Sequence, residues 1–216
     1  MYFLNSNTSL LVHVVFSALN TITKRLNSCE YTVLNDIATT LYGLIRPIEE
    51  VRYLISENNV ENMLHTILEA HSVQEYYDEA LRKLRDQGLI AISTVFYPLV
   101  VIEVASGRLD KDVLSSTQLV DLKEYRVCIP RLEHLIAKLL SMKLYPYTLY
   151  GYTLLFTWLN TKHLDLKLLA DLLKNTNVNV ESVVRELESI FEHLSLFKPQ
   201  ELDKSLLEYL KALLIS

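Results

Sequence analysis

Glycine is scarce in this sequence of 216 residues, which contains only Gly43, Gly88, Gly107 and Gly151. Gly88 and Gly107 are the closest pair, 19 residues apart. Neither the G-x-G-x-x-G pattern nor the Walker phosphate loop is therefore present, because both need closely spaced glycines. The sequence thus excludes the usual nucleotide-binding motifs, and we expect neither a nucleotide nor another cofactor.

Cysteine and long apolar runs are also rare. Cys29 and Cys128 form no C-x-x-C pair, and two separate cysteines are more typical of core thiols in a reducing compartment than of a disulfide scaffold. Residues 89–102 are mostly apolar, but they are too few to span a bilayer and Pro98 interrupts them. The run SLLVHVVFSAL lacks the charged flank and cleavage site of a secretory signal. We predict a soluble, cytoplasmic protein without a membrane partner.

Basic charge is in the minority, with 21 Lys and Arg against 26 Asp and Glu and a net charge of -5. Residues 1–80 contain 4 basic and 10 acidic side chains, residues 81–150 contain 10 and 7, and residues 151–216 contain 7 and 9. Contacts to phosphate supply most of the affinity for nucleic acid, so a protein of this charge needs a local basic patch to bind it. Only the middle segment offers one.

Recognisable catalytic and metal-binding patterns are missing as well. No G-x-S-x-G occurs, and His163 and Asp165 lack a nucleophile in a known arrangement. Glu61, His65 and Glu69 are four residues apart and would line one helix face, but no matching second helix supplies further ligands. Such polar stripes are ordinary on solvated helices. We therefore predict a protein without a metal site or catalytic residues, which disfavours an enzyme.

Helical periodicity dominates what is present. Asn59 can cap a helix with Val60 and Ile67 on one face, and Ser72 and Glu75 have capping-box spacing for the next helix, which runs towards Gly88. Further helices are predicted over 11–25, 33–44, 47–55, 117–127, 130–139, 148–160, 164–175, 180–195 and 202–215. The chain is thus expected to be mainly α.

The pattern changes after Gly88. The stretches LIAIS and PLVVIEV are rich in β-branched residues and are bounded by Pro98 and by Ser106-Gly107. We predict one small β-hairpin over 89–104 as the only sheet of a helical protein. The expected division is an N-terminal helical region, 1–108, which includes the hairpin, and a C-terminal helical region, 109–216.

A weak internal repeat links the two regions. An offset of 106 residues places Val60 and Ile67 on Leu166 and Leu173, and Leu81 on Leu187. Amphipathic helices in a leucine-rich chain also match by chance, so duplication is a hypothesis. It predicts that segments 60–90 and 166–196 have the same secondary structure.

The order helix, turn, helix, LRDQGLI and hairpin over 60–104 resembles the winged-helix superfamily, and the helix pair over 164–197, ending in LSLF, resembles it more weakly. In that family the second helix enters the DNA major groove and the hairpin, or wing, contacts phosphate or the minor groove. The resemblance therefore implies that Arg82, Lys83 and Arg85 contact nucleic acid. Solvation of an ordinary helix face is the alternative for these three residues.

Charge and composition favour protein docking over DNA binding in this module. Acidic residues balance the basic ones on the helix over 72–88, and the wing, TVFYPLVVIEV, contains no Lys or Arg. Winged helices also serve as docking modules, and an apolar hairpin with aromatic rings suits that use. We predict Phe96, Tyr97 and Val100 as partner contacts.

A second basic and aromatic stretch follows at 123–158. Lys123, Arg126 and Arg131 precede the segment KLYPYTLYGYTLLFTW. Cations beside aromatic rings can hold single-stranded nucleic acid by backbone attraction and base stacking. The alternative is that the rings pack against the rest of the protein or against a partner. The candidate partner contacts in this stretch are Tyr145, Tyr147 and Tyr150.

Three functions remain open. The first, which we favour, is a non-enzymatic interaction protein that acts as a winged-helix-like docking subunit in a nucleic-acid-associated assembly, with a protein partner or with itself. The second is a DNA-binding transcriptional regulator that uses the helix at 72–88 and acts as a dimer. The third is a helical structural subunit of a larger particle or ribonucleoprotein.

Overall fold

The computed structural model describes residues 6–26, 30–93, 98–159, 161, 163–176, 178–197 and 204–215. Most of them are helical, so the chain is mainly α, as the sequence predicts. The chain divides into two compact units. One comprises Met1–Leu41 and Ile45–Arg131, and the other comprises Tyr42–Leu44 and Leu132–Ser216. This division falls at 131 and 132 rather than at 108 and 109, because residues 109–131 pack within the first unit.

The first unit combines helices with two small sheets. Its described α-helices are α1 (Ser6–Leu26), α2 (Asn35–Leu41), α3 (Val60–Ala70), α4 (Tyr77–Gln87) and α5 (Arg108–Ser115). Its described strands are β1 (Tyr31–Leu34), β2 (Glu50–Ile55), β3 (Leu89–Ile92), β4 (Leu99–Val104), β5 (Gln118–Leu122) and β6 (Tyr125–Ile129). The first four strands form one sheet in the order β1-β2-β4-β3, and β5 and β6 form a separate hairpin.

The sheets correct the prediction of a single hairpin. β3 and β4 do pair antiparallel, as predicted for 89–104, but β4 also pairs in parallel with β2, which places Arg52 opposite Val101. Residues 47–55 and 117–127, which the sequence predicts to be helical, form β2 and the β5-β6 hairpin. All six residues of β2 are buried, so this strand lacks the alternation of a half-exposed strand.

One face of the four-stranded sheet is apolar and packs on helices. Tyr31 and Tyr53, both fully buried, lie on this face with their rings 6.0 Å apart. The Tyr53 hydroxyl is 2.5 Å from Nε2 of His71, which follows α3. Burial lowers the pKa of His71 to about 4, because an imidazolium there would lose its hydration.

The helix pair of the winged-helix comparison lies where the sequence predicts it. α3 and α4 are followed directly by β3, and Gly88 ends α4 in the left-handed conformation (φ 72°) that favours glycine. The strand β4, however, is paired on both sides, so it is a central strand of a larger sheet. The winged-helix resemblance thus stays a hypothesis.

The second unit is built from the remaining described helices, α6 (Leu132–Ser141), α7 (Tyr147–Trp158), α8 (Leu166–Lys174), α9 (Val180–Phe197) and α10 (Lys204–Ile215). α6 packs against α7 and α8, and α10 packs against α8 and α9. Compared at the offset of 106 residues, α3 and α8 coincide and α4 and α9 overlap, but β3 has no counterpart because α9 continues through Phe197. The two segments therefore have the same secondary structure over the helix pair only, and duplication stays a hypothesis.

Two further findings bear on the sequence predictions. Cys128 is buried in β6 and is disulfide-bonded, so the expectation of a core thiol is wrong for this residue. Cys29, the only other cysteine in the sequence, lies outside the described residues. Among the described helices, none has the length and apolar character needed to cross a bilayer.

Candidate functional site

A groove in the second unit combines an apolar floor with a polar rim. It has a volume of about 610 Å³ and lies between α7 and α9, next to the end of α6. Its floor includes Leu140, Tyr152 and Val183, all buried, while Tyr145 and Leu149 are exposed at its edge. This anatomy, apolar at the centre and polar around it, is typical of surfaces that bind other proteins.

The first wall is fixed by the way in which α6 turns into α7. Lys143 has a left-handed backbone (φ 53°), which reverses the chain after α6. The Tyr145–Pro146 peptide bond is cis, and the Thr148 amide then donates to the Leu144 carbonyl at 3.1 Å as α7 begins. The turn leaves the Tyr145 ring 83% exposed.

Close packing of α7 against α6 sets the depth of the groove. A Cβ on Gly151 of α7 would lie 2.9 Å from Cδ2 and 3.0 Å from Cγ of Leu140, and 3.2 Å from Cβ of Leu139. A larger residue at this position would therefore require Leu139 and Leu140 to shift, so glycine favours the observed approach of the two helices. Leu140 is one of the floor residues, so this contact also holds part of the groove in place.

The second wall is the N-terminal half of α9. The Asn179 side chain caps this helix by accepting a hydrogen bond from the Ser182 amide at 3.0 Å. Val183 then faces the floor, while Glu186 lies on the rim with its side chain exposed. The helix thus presents an apolar stripe to the groove and a carboxylate to the solvent beside it.

The two charged residues that line the groove come from different parts of the second unit. Lys143 precedes α7, whereas Glu186 belongs to α9. Glu186 forms no ion pair with any residue that the structure describes. Burial, and secondly the negative charge of Glu186, raise the pKa of the Tyr152 phenol, so Tyr152 stays neutral at physiological pH.

The three tyrosines predicted as partner contacts differ in their exposure. Tyr145 lines the groove and is the most exposed of the three. Tyr147 and Tyr150 are half-buried on α7, where their rings contact each other edge to face with centroids 6.4 Å apart. Leu144 and Leu149, which the sequence argument did not single out, are 59% and 45% exposed near Tyr145. Their position in an apolar run gave no signal of exposure.

The predicted hairpin contacts have a different outcome. Val100 is fully buried, because it lies between Val51 of β2 and Ile92 of β3 in the centre of the sheet. It therefore belongs to the core and does not reach a partner. Phe96 and Tyr97 lie outside the described residues.

The basic residues of α4 lie among carboxylates. Lys83 Nζ is 2.6 Å from Oε1 of Glu79, and Arg85 pairs with Glu61 of α3. Arg82 is exposed. The helix therefore offers little uncompensated positive charge to a phosphate backbone.

The second basic group is dispersed over the β5-β6 hairpin and the residue before α6. Lys123 forms the hairpin turn with a left-handed backbone (φ 65°), and Arg126 lies 3.6 Å from Asp121 on the facing strand. Arg131 is exposed at the end of the first unit. The aromatic rings that would complete a stacking platform belong to the second unit.

A buried ionic cluster in the first unit is a site that the sequence argument missed. Arg52 of β2 lies with its Nε 3.2 Å from Oε1 of Glu50 and its Nη1 3.3 Å from Oε2 of Glu103 on β4. Asn35, which follows β1 with a left-handed backbone (φ 49°), donates its side-chain amide to Glu50. Burial of three such charges requires mutual compensation.

A second pair adjoins this cluster. Asp36 accepts hydrogen bonds from the backbone amides of Glu49 at 2.7 Å and Glu50 at 2.9 Å, and its Oδ1 lies 3.0 Å from Nη2 of Arg46. Burial raises the pKa of the Asp36 carboxyl, although the two amides and Arg46 oppose the shift. The separation of key partners along the chain hid the cluster, since Asn35 and Glu50 are 15 residues apart and Arg52 and Glu103 are 51 residues apart.

The chemistry open to this cluster is restricted by Arg52. Two carboxylates on neighbouring strands resemble an acid and base pair or a cation site, but here a guanidinium lies between them and forms an ion pair with each. In the part of the chain that the structure describes, no group of three or more His, Cys, Asp or Glu residues could hold a metal ion. The two glutamates of this stripe instead form ion pairs, Glu61 with Arg85 and Glu69 with Arg25.

Comparison with known proteins adds no relative. No protein-family model matches the chain, and no curated protein matches it significantly in sequence.

Proposed function

We propose that the protein is a non-enzymatic interaction protein and that the groove between α7 and α9 is its docking surface. The observation that supports this most directly is the exposure of three large apolar side chains within six residues, Leu144, Tyr145 and Leu149, beside an apolar recess. Exposed apolar groups that cluster at a concave surface are characteristic of binding sites for other proteins.

The charged residues of the chain favour docking over catalysis. The buried carboxylates Glu50 and Glu103 are both bound to Arg52, so their oxygens are engaged in ion pairs within the protein. The groove itself presents hydroxyl, amide and charged groups on its rim, which suit hydrogen bonding to a partner.

A photo-cross-linking experiment tests this proposal. A benzophenone amino acid replaces Tyr145 in one variant and Tyr209, which is 43% exposed on α10 and does not line the groove, in a matched control. In cells that naturally make the protein, we expect a discrete protein adduct from position 145 and not from position 209. We also expect Leu149→Asp to abolish that adduct, because a carboxylate would be desolvated in the contact.

Two results of the cross-linking experiment would contradict docking at this groove. An absence of any adduct from position 145, or an adduct that persists unchanged with Leu149→Asp, rejects the groove as the docking surface. Circular dichroism and the thermal midpoint of Leu149→Asp show whether the variant is folded. Leu149 is 45% exposed, so we expect both to be close to wild type.

A further inference from the structure

Cys128 of β6 belongs to a disulfide bond, and the sequence contains one other cysteine, Cys29. Within a single chain the partner of Cys128 is therefore Cys29. In the sequence, Cys29 lies between Leu26, which ends α1, and Tyr31, which begins β1. A bond between the two cysteines thus joins the connection from α1 to β1 to the strand β6, close to the end of the first unit.

The described residues on both sides of Cys29 contact β6 close to Cys128. The Thr23 hydroxyl of α1 donates to the Arg126 carbonyl at 3.1 Å, and the Tyr31 hydroxyl interacts with the backbone of Cys128. The elements α1 and β1 both pack against β6. Only seven residues separate Thr23 from Tyr31, so the reach of the chain keeps position 29 near this strand. These contacts support the pairing independently of the number of cysteines.

The surroundings of Cys128 are those of a structural disulfide. Cys128 has no exposed surface, and its neighbours Val127 and Ile129 are buried as well. Thiol–disulfide exchange requires a thiolate to reach a sulfur atom. The Cys128 sulfur is therefore shielded from reductants while the first unit is folded, whereas labile disulfides that act as catalysts or regulators are strained or exposed.

We propose that the Cys29–Cys128 disulfide is a permanent covalent clasp of the first unit, formed as the chain folds in surroundings that oxidise thiols. The two thiols pass two electrons and two protons to a second disulfide, carried by a protein or a small molecule, which leaves as two thiols. These surroundings differ from the reducing compartment that the spacing of the two cysteines predicts.

The position of the clasp in the chain determines what it stabilises. The two cysteines are 99 residues apart in the sequence, and the loop between them contains all the described strands from β1 to β5. Closing a loop of this length removes conformational freedom from the unfolded chain, and the effect grows with loop length. The folded first unit is therefore favoured when the bond is present.

Alkylation of the protein in the cells that naturally make it tests whether the bond exists there. The cells are quenched in acid, and the unfolded protein is treated with a maleimide either directly or after reduction. We expect no labelled cysteine before reduction, two after it, and a monomer on a non-reducing gel. Two labelled cysteines before reduction would overturn the proposal, and so would a disulfide-linked dimer.

Urea denaturation followed by circular dichroism tests what the clasp contributes. We expect the wild-type chain, after reduction and refolding with reductant, to have a midpoint lower by about 1–2 M urea than the oxidised chain. Cys29→Ala removes the bond but keeps the buried Cys128, so its midpoint should match that of reduced wild type with or without reductant. Equal midpoints for oxidised and reduced wild type would reject the clasp.

The comparison of the two wild-type forms does not require the variant to fold. Neither measurement involves the groove of the second unit, so the clasp and the docking surface are tested separately.

Discussion

Arg52 and Glu103 meet across the parallel strands β2 and β4, with Nη1 of the arginine 3.3 Å from Oε2 of the glutamate. Their side chains are only 10% and 17% exposed. Because Arg52 also contacts Glu50, a single guanidinium compensates two carboxylates that have lost most of their water. This relationship makes Arg52 the member of the cluster whose removal has the largest effect.

Replacing Arg52 by methionine should therefore destabilise the first unit strongly. Methionine replaces the aliphatic part of the arginine side chain but removes its positive charge. Glu50 and Glu103 are then buried together without that charge, which costs about 3–5 kcal/mol of unfolding free energy. Urea denaturation measures the loss. The exposed pair of Arg25 and Glu69 provides the control, because Arg25→Met should leave the denaturation midpoint close to that of wild type. Similar losses for the two variants would show that the cluster is solvated.

His71 should make the protein sensitive to acid. Its pKa is about 4 in the folded chain, against about 6.5 when unfolded, so the unfolded state binds more protons below pH 6.5. The stability that comes from keeping His71 neutral is present above pH 6.5 and declines as the pH falls through 6.5 towards 4. At pH 4.5 the loss relative to pH 7 is about 2 kcal/mol.

A comparison with His71→Gln isolates this contribution. Glutamine does not titrate and retains a group that can bond to the Tyr53 hydroxyl. Wild type should lose about 2 kcal/mol more than the variant between pH 7 and pH 4.5, measured by urea denaturation at each pH. Parallel pH dependences for the two proteins would refute the assignment.

Gly151→Val should destabilise the second unit. The added side chain meets Leu139 and Leu140 at distances shorter than van der Waals contact, and overpacking of this kind costs about 1–3 kcal/mol. Gly107→Ser is the matched control, because nothing lies within 4 Å of a Cβ at Gly107 and its backbone is extended. Serine also suits that helix-capping position, so the control should be neutral or slightly stabilising. A valine variant with wild-type stability would contradict the close approach of α6 and α7.

The triple replacement of Arg82, Lys83 and Arg85 by alanine should have little effect on nucleic-acid binding. Two of these side chains are already paired with Glu79 and Glu61. Fluorescence anisotropy with duplex and single-stranded DNA over a salt series is the measurement, and we expect at most weak binding in both proteins. A steep salt dependence that disappears in the variant would instead support a DNA-binding regulator led by α4.

Most of the described helices were predictable, because their apolar residues recur with a period near 3.6 and their ends carry local signals, but α5 was not predicted. Gly88 marks the end of α4, for example, and Asn179 the start of α9. β2 was not predictable in the same way. Its residues EVRYLI are buried on both faces, and burial is set by strand partners 18 to 49 residues away that the local pattern does not contain.

The candidate site was accessible from the sequence only in part. Tyr145 stood out as an aromatic residue in a basic region, but the exposure of Leu149 depends on the path of the chain after α6. Val100 shows the converse. In an isolated hairpin this apolar residue would be a candidate for the surface, but β2 pairs with the other edge of β4 and Val100 becomes part of the sheet centre. The ionic cluster required knowledge of which strands are neighbours.

The central position of β4 has a consequence for synthesis of the chain. β4 joins β2 to β3, and α1 packs against β6, whose last residue is Ile129. As the protein leaves the ribosome, its first helix and first two strands emerge well before the segments that bury them. A nascent chain shorter than about 130 residues thus has its apolar surfaces uncovered, and chaperones that hold such surfaces have their longest opportunity to act on this half of the protein.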